Sequence, residues 1–507
     1  MKTLYYLALP VLLCLSCTVS KPAFDPARKY SPEALKNDYQ LFRHILEDLH
    51  PSLYWYTPRD SMNYFFDKGY GQLTDSMTET QFRTVLSYVI AKVDCGHTSV
   101  RYSKQYGKYL DTAKLAQFPL LLKFWKDTMV VAANLNRKDS ILKRGTIVES
   151  INGWTTSRLT DTLFSYFVTD GYNLTGKYQY LSTGLNFSFW YQHVLGFTDN
   201  FTIGYLDTDG LLKETRIPIY DPRTDTLRRA RPFPGRPPPE PGRRKPEPGR
   251  KTWKKRERLF LRNLQIDSAT NTAFMALNTF ENGNGLVRFF HRSFRVMDEK
   301  KVQNLVIDVR SNGGGDATNS TLLTRYIIDR KFKVADSLYA VRRASRYDKY
   351  IGKSFLYDFL MLFASRRHAD GKYHFGYFER RHYSPKQNHH FDGQVYILTG
   401  GNSFSATCLF AGALKGQKNV TLVGEETGGG YYGNTAWMIP DVTLPITKVR
   451  FRLPRYRLVV DRTREKNGLG VLPDVPASPS VDAIMKGLDF KTAKAKELIL
   501  AHAAANK

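Results

Sequence analysis

A serine stands where a predicted strand gives way to a predicted helix, in the stretch VYILTGGNSFSATCLFAGAL of residues 395–414. An apolar run is followed by two glycines, and Ser403 and Ser405 come just before a helix-forming segment at 409–414. The N–H groups of a helix N-terminus lack partners within the helix, so a serine at this junction can cap the helix or act as a nucleophile. The local sequence by itself favours the cap, because serine is a preferred N-cap residue.

A second junction of the same kind lies earlier in the chain. The apolar run at 305–309 leads into the turn Gly313–Gly315, and a helical segment follows at 320–328. Glycines leave backbone N–H groups open to a ligand, although tight turns also use glycine for its conformational freedom. An acyl-transfer enzyme needs a nucleophile, a base and N–H donors for an oxyanion. The two junctions supply candidates for the nucleophile and for the N–H donors.

Metal chemistry is not indicated by the sequence. His389 and His390 are adjacent residues of a polar loop, and neighbours in sequence rarely bind one ion. Asp308 is expected to cap a turn or pair with Arg310 as readily as to act in catalysis. The sequence therefore predicts no metal site and no cofactor.

The secondary-structure patterns that would position these residues change along the chain. They predict a multidomain fold with α+β and α/β parts. A length of 507 residues suggests about three domains. Apolar residues at helical spacing follow the helix start Ser31-Pro32-Glu33, whereas later strands alternate with helices and predict parallel pairing. The expected units are a helical N-terminal domain at 25–110, a mostly β domain at 115–220, a Pro- and Arg-rich linker at 221–257 and an α/β domain at 258–490.

The chain is strongly basic, with a formal net charge of +28, and much of this charge is local. The segment 221–262 alone holds fifteen basic and five acidic residues. Its many prolines and glycines prevent it from burying enough apolar surface to fold, so a solvated linker is expected. A basic arm that touches anionic lipid or polysaccharide is the alternative interpretation.

The first twenty residues are typical of an export signal. Lys2 precedes an apolar stretch at 4–15 that is too short to span a bilayer comfortably. The stretch ends in Cys14-Leu15-Ser16-Cys17, which resembles a bacterial lipobox with Cys17 as the lipidated residue. We therefore expect a signal peptide at 1–20, a membrane anchor on Cys17, and a location in the periplasm or at the outer membrane. Plain secretion is the alternative, and an exported protein is not expected to bind nucleic acid.

Five motifs occur in order along the chain. They are Asp38 with Leu49-His50-Pro51-Ser52-Leu53-Tyr54, Asp94-Cys95-Gly96-His97-Thr98, Ile307–Gly314, the segment from Ser405-Ala406-Thr407 through Gly424–Gly430, and Gly470-Val471-Leu472-Pro473-Asp474. Together they resemble the C-terminal-processing and tricorn-type serine peptidases, which share a ClpP/crotonase-like core, and the match is best to envelope lipoprotein members from Bacteroidetes-like bacteria. A strand between two glycine turns, at 141–153, also resembles the core of a PDZ domain.

The resemblance reverses the local preference for a helix cap, because Ser405 falls on the family's nucleophile. Ser403 is then assigned to turn formation. The backbone N–H of Ala406 and one from Gly313 or Gly314 would form the oxyanion hole.

The residue expected to act as base differs from that of the processing peptidases, which use a lysine in a Gly-Lys-Gly turn. The corresponding turn here is Gly428-Gly429-Gly430. The tricorn branch instead uses a histidine from its N-terminal region, and His97 falls on that position. A histidine suits this task at neutral pH. The alternative is a structural histidine that closes a turn between a helix and a strand.

The acid that would orient His97 is less well specified. The tricorn branch uses a serine beside the histidine and a distant glutamate, but Gly96 stands where that serine would be. Glu465 lies in the right region, although not in register, and is the candidate. Asp94 and Asp461 are alternatives, and each of the three can also be a solvated surface acid.

The sequence thus predicts an exported serine endopeptidase that cleaves peptides or unfolded proteins in the cell envelope. Ser405 would form an acyl-enzyme with His97 as base, and the PDZ-like region would bind an extended peptide by strand addition. The alternative is a non-catalytic peptide- or ligand-binding lipoprotein on the same scaffold. Hydrolysis of a non-peptide ester is a weaker third interpretation, and the oligomeric state is left open.

Overall fold

The computed structural model describes residues 24–225 and 250–505. The predicted signal peptide, the lipidation site Cys17 and most of the predicted linker lie outside the described residues. Among the residues described, no helix is both long and apolar enough to cross a membrane.

The N-terminal region is helical, as its apolar spacing predicts. Ser31 caps the first helix by accepting a hydrogen bond from the N–H of Ala34 at 3.3 Å, and Pro32 occupies the first turn. A reciprocal capping box between Thr78 and Gln81 starts the third helix. The helices are Pro32–Leu49, Arg59–Gly71, Glu79–Ala91 and Lys104–Thr112.

These helices share one hydrophobic core with a segment near the C-terminus. Phe42 packs edge-on against Phe451, with 5.1 Å between the ring centroids. The fully buried carboxylate of Asp38 accepts hydrogen bonds from the backbone N–H groups of Ile446 and Thr447 and from the Thr447 hydroxyl. The strand Val100–Arg101 also pairs with Arg450–Arg452. The N-terminal helices are therefore fixed against the region that follows the nucleophile motif.

The region at 118–220 combines strands with helices. The strand expected between two glycine turns is present, because Val148–Ile151 lies between the turns of Gly145 and Gly153, whose φ angles are +94° and +78°. The aromatic-rich segment at 174–194 is helical, contrary to the mostly β expectation, because its aromatic side chains pack as helix faces onto the buried sheet. The elements are the hairpin Leu120–Trp125 and Thr128–Asn134, the sheet Trp154–Thr155, Val148–Ile151, Asn200–Leu206 and Leu212–Pro218, and the helices Thr156–Leu163, Leu174–Leu181 and Asn186–Val194.

A six-stranded sheet forms the centre of the C-terminal half. Its first two strands are antiparallel and all other neighbours are parallel, so the carboxyl ends of the third and fourth strands meet at one edge. The helices Leu286–Glu299, Ala317–Arg325 and Ala406–Leu414 cover one face, and Phe490–Ala505 covers the other. The strand order is Arg262–Asp267, Thr272–Leu277, Asn304–Asp308, Gln394–Thr399, Val420–Gly424 and Val475–Pro476.

A second, five-stranded sheet lies within the C-terminal half and has its own small core. Its buried residues include Leu338, Met361, Tyr456 and Leu458. The strands in order are Arg366–Arg367, Tyr373–His374, Ser337–Ala340, Arg457–Val459 and Gly433–Asn434. The remaining elements are the strands Lys29–Tyr30, Met77–Thr78, Phe332–Lys333, His382–Tyr383 and Asp441–Thr443, the helices Arg250–Leu261, Ser354–Ala364, Gly376–Arg380 and Val481–Lys486, and the 3-10 helix Asp348–Tyr350.

Candidate active site

Ser405 occupies the sharp turn between the central strand Gln394–Thr399 and the helix Ala406–Leu414. Its φ and ψ angles are +56° and −120°, a conformation that non-glycine residues rarely adopt and that costs about 1–3 kcal/mol. The Ser405 side chain accepts no hydrogen bond from the first turn of the helix. The residue therefore does not cap the helix in the usual way, and its hydroxyl is presented at the sheet edge.

His97 meets Ser405 from the N-terminal region, 308 residues earlier in the chain. The Nε2 atom of its ring lies 3.0 Å from the Ser405 hydroxyl oxygen. The imidazole is 6 % exposed and packs on the ring of Phe404, with 4.6 Å between centroids. A turn after the helix Glu79–Ala91, with Asp94 at φ +51°, directs the chain into this position.

A buried carboxylate that the sequence did not reveal lies on the other side of the imidazole. The Oδ1 atom of Asp170 is 3.9 Å from His97 Nδ1, and the side chains are 3 % and 6 % exposed. Backbone N–H groups hold this carboxylate in place, because Gly96 donates to Oδ1 at 2.8 Å and Gly430 donates to Oδ2 at 3.3 Å. Nδ1 itself has no hydrogen-bond partner among the described residues.

Neither Glu465 nor its alternatives take the position beside Nδ1. Glu465 is exposed and accepts a hydrogen bond from the Asn467 side chain. Asp461 accepts from Thr463 and lies 3.5 Å from Arg464. The expectation for Glu465 is therefore corrected, because the loop around it turns outward and Asp170 comes from a different part of the fold.

Asp94 lies close to the site in sequence but belongs to a separate cluster. Burial raises the pKa of its carboxyl to about 6, and the charges of Lys177 and Lys92 partly oppose the rise. Its backbone carbonyl accepts the N–H of Gly171, the residue after Asp170. Asp94 thus helps to join the two loops that carry His97 and Asp170.

Two backbone N–H groups of the serine turn and the adjoining glycine turn have no acceptor among the described residues, and they belong to Ala406 and Gly313. Gly314 is different, because its N–H already donates to Asn312 Oδ1 at 2.9 Å. A Cβ atom on Gly314 would lie 3.0 Å from the Ala406 nitrogen, so the two turns are in close contact. Of the two glycine candidates for an oxyanion donor, Gly313 has the free N–H.

The turn Gly428–Gly430 packs directly behind the serine. A Cβ atom at Gly429 would lie 3.0 Å from the Ser405 nitrogen, and one at Gly430 would lie 2.5 Å from the Gly433 carbonyl oxygen. A lysine side chain at Gly430 has no room in this arrangement. The histidine is therefore the basic group that the fold brings to the serine.

Two thiols adjoin the site, and both are free and buried. Burial raises the pKa of Cys408 to about 12, so this thiol stays protonated at neutral pH. Burial also raises the pKa of Cys95, which contacts the hydroxyl of Thr435. His389 and His390, considered above for metal binding, pair with the separate carboxylates of Asp298 and Asp392.

A cleft of about 500 Å³ opens beside the serine turn. Gly313 and Phe404, from the two turns at the sheet edge, line one part of it, and Gly96 and Thr169, from the two loops that carry His97 and Asp170, line another. The rest of the lining is rich in aromatic residues, which include Tyr166, Phe167, Tyr180 and Trp190. A largely apolar cleft beside a paired serine and histidine can hold a peptide side chain next to the reacting bond.

The chain is similar to known proteins in one segment of its sequence and in its fold. Residues 271–477 match the model of peptidase family S41. A structure of mature CPAF complexed with lactacystin is similar over 94 % of this chain and 99 % of that chain, with a TM-score of 0.62 and 14 % identity. A second structure of mature CPAF is similar over 92 % of this chain and 97 % of that chain, with a TM-score of 0.61 and 14 % identity. No curated protein matches the sequence. The chain therefore has a mixed α/β, multidomain fold of the kind seen in CPAF.

Proposed function

We propose that this chain is a serine peptidase of family S41, the family whose model matches residues 271–477, and that it cleaves peptide bonds through an acyl-enzyme on Ser405 with His97 as the base. The observation that carries the proposal is the 3.0 Å separation between His97 Nε2 and the Ser405 hydroxyl oxygen. This distance is within hydrogen-bond reach for direct proton transfer. Over residues 271–477, the family resemblance seen in the sequence is confirmed by the matched family model.

The reaction follows from the positions of these groups. As the Ser405 oxygen bonds to the substrate carbonyl carbon, its proton passes to Nε2 of His97, and the negative charge collects on the carbonyl oxygen. The N–H groups of Ala406 and Gly313 stabilise that oxyanion. The peptide C–N bond then breaks, His97 returns the proton to the leaving amine, and water hydrolyses the ester by the same steps in reverse.

Asp170 acts in this proposal as a positioning residue. Its negative charge, held at Nδ1 by two backbone N–H groups, favours the ring orientation in which Nε2 faces Ser405. It also stabilises the imidazolium that forms when His97 takes the proton. The separation of 3.9 Å is slightly longer than a hydrogen bond, and such contacts often shorten when substrate binds.

The region at 115–220 serves as a PDZ-like module that binds an extended peptide, and the domain at 258–490 is a crotonase-like catalytic domain. The PDZ-like assignment is supported by the strand Val148–Ile151, which lies between two glycine turns. It is also supported by the antiparallel sheet of this strand, because its edge strands are short or exposed and could pair with a peptide. Contacts between the two regions support joint action, because Thr175 donates to Glu426 at 3.2 Å and Asn173 donates to the Thr427 carbonyl.

The substrates are peptides or unfolded proteins of the cell envelope, where a lipid anchor on Cys17 holds the enzyme. Support for this location comes from the export-like first twenty residues and the lipobox-like Cys14–Cys17. A Cys17→Ser variant that still fractionates with membranes, and that takes up no less labelled fatty acid than the parent, would contradict the anchor.

The catalytic assignment is tested by labelling with a fluorophosphonate, which reacts only with an activated serine. The parent chain should label, Ser405→Ala should not, and His97→Ala should label at least about a hundredfold more slowly. Ser403→Ala serves as the matched control. If the folded parent does not label across a range of pH, the serine is not activated in the free protein. Lactacystin, which is bound in one similar CPAF structure, offers a second probe.

A further inference from the structure

The helix Ser354–Ala364 turns its apolar side outward. On a globular protein the apolar face of a helix normally packs on the core. Here only Met361 is fully buried, whereas Phe355 and Phe363 are 83 % and 72 % exposed. The apolar residues exposed on this helix are Phe355, Leu356, Phe359, Leu360, Leu362 and Phe363.

The contacts of the helix fix this orientation. Met361 belongs to the core beneath the five-stranded sheet, together with Leu338 and Tyr456. On the same side, Asp358 lies 3.8 Å from the guanidinium of Arg455. A rotation that buried the phenylalanines would remove both contacts, so the apolar face remains on the outside.

Exposed cations lie at both ends of the apolar face. Lys353 precedes the helix, and Arg366 and Arg367 follow it after a single residue. No carboxylate in the described part of the chain forms a salt bridge with these three side chains. The wider segment at 342–372 holds eight Lys and Arg residues and three Asp residues. The surface that covers this helix should therefore be apolar in the middle and anionic around it.

A bilayer surface with anionic headgroups has this chemistry, and a second copy of the chain does not. Two copies meeting through this face would bring their own basic residues together, which is unfavourable. Eleven residues of helix span only about 16 Å, about half of a hydrocarbon core, so the helix cannot cross a bilayer.

We propose that the helix Ser354–Ala364 is a membrane-docking element that lies along the surface of an anionic phospholipid bilayer. Its phenylalanine and leucine side chains enter the boundary between headgroups and acyl chains, while Lys353, Arg366 and Arg367 contact lipid phosphates. The docking is independent of catalysis and of any anchor on Cys17.

The test places a polarity-sensitive fluorophore on the helix of the full chain, at Phe359→Cys. Cys14 and Cys17 are changed to serine, and the other two cysteines are buried. Vesicles of phosphatidylcholine with about 30 % phosphatidylglycerol should shift the emission to the blue and raise its intensity at least about twofold, whereas pure phosphatidylcholine should do much less. The matched control carries the fluorophore at Leu212→Cys, which is 67 % exposed on the strand Leu212–Pro218 of a different sheet, and should not respond.

Two further variants decide between the possible occupants. Changing Lys353, Arg366 and Arg367 together to glutamate should weaken the response to anionic vesicles by about tenfold or more, and Phe355→Asp with Phe363→Asp should abolish it. All five side chains are exposed, so circular dichroism should show an unchanged fold. An unaltered response in these variants, or none in the parent, would overturn the proposal. A response that needs no lipid and rises with protein concentration, together with a doubled mass in light scattering, would assign the face to a second copy.

Discussion

The two ring nitrogens of His97 face a serine and a carboxylate that come from opposite halves of the chain. Nε2 lies 3.0 Å from the Ser405 hydroxyl oxygen, and Nδ1 lies 3.9 Å from Oδ1 of Asp170. The imidazole is held between them by burial and by the ring of Phe404. This relationship makes the N-terminal helices and the region at 118–220 part of one active site with the sheet that carries Ser405.

The role of Asp170 predicts a specific kinetic effect of Asp170→Asn. The amide oxygen still accepts the Gly96 N–H, but the negative charge beside the imidazole is lost. We expect kcat to fall by about 10²–10⁴-fold with KM changed by less than about threefold, because the charge acts when His97 is protonated. Peptide hydrolysis by the purified variant measures both constants.

Glu465→Gln is the matched control for Asp170→Asn. Because Glu465 is exposed and contacts Asn467 rather than His97, both constants should stay within about twofold of the parent. A comparable loss in Glu465→Gln would return Glu465 to the site, whereas an unchanged kcat in Asp170→Asn would remove Asp170 from it. Thermal unfolding of both variants checks that lost activity is not lost structure.

The family resemblance predicted Ser405 and His97 because each lies in one of the five motifs, although the local sequence alone favoured a helix cap at Ser405. Asp170 has no such signal. Its position depends on N–H groups of Gly96 and Gly430, which are 74 residues before it and 260 residues after it. A Thr-Asp-Gly turn in an aromatic region does not reveal these tertiary contacts.

For the fold as well, the sequence predicted local elements but not the contacts between distant segments. Local patterns indicated the capped helix from Pro32, the strands of the central sheet and the glycine turns at its edge. They could not show that Asp38 binds the backbone of Ile446 and Thr447, because hydrogen bonds between segments about 400 residues apart leave no period in the sequence. The helix Asn186–Val194 was missed for a related reason, since its aromatic residues favour a strand until the surrounding core is known.

The two serines of the turn should respond differently to removal of the hydroxyl. Ser403 is fully buried, donates to the Val309 carbonyl at 2.8 Å and accepts from the Gly400 N–H at 3.2 Å. Ser403→Ala should lower the free energy of unfolding by about 1–3 kcal/mol, because two buried backbone groups lose a partner. Its folded fraction should still react with fluorophosphonate.

Ser405→Ala should show the opposite pattern, with no labelling and a free energy of unfolding within about 1 kcal/mol of the parent. Urea unfolding and labelling of both variants test the distinction. A Ser403→Ala variant that is stable but inactive would contradict the assignment of Ser403 to the turn.

Alanine substitutions at the neighbouring residues Gly313 and Gly314 should have different effects, because only a Cβ atom on Gly314 would contact the serine turn. Apart from its chain neighbours, no residue has an atom within 4 Å of a Cβ atom built on Gly313, so Gly313→Ala should fold normally and keep its N–H free. A Cβ atom on Gly314 would lie 2.7 Å from the Ser405 Cβ and the Phe404 carbonyl oxygen, and the φ angle there is +98°. Gly314→Ala should lose at least about 2 kcal/mol of stability and most of its labelling. Urea unfolding and fluorophosphonate labelling measure the two effects, and equal behaviour of the two variants would show that the turns do not pack as described.

Asp94→Asn should stabilise the protein at neutral pH and not in acid. Burial raises the pKa of the folded carboxyl to about 6, above the ordinary value of 3.8, so the folded state binds this proton more tightly than the unfolded state does. Stability from this group is therefore fully present below about pH 4 and is lost as pH rises through 6. Asparagine removes the buried charge and also tolerates the positive φ of +51°.

For Asp94→Asn we expect a gain in the free energy of unfolding of about 1–3 kcal/mol at pH 7.5, measured by urea unfolding, that shrinks to near zero at pH 4. An equal gain at both pH values would show that the charge is not its cause, and a loss at pH 7.5 would mean that the attraction to Lys92 and Lys177 outweighs the burial.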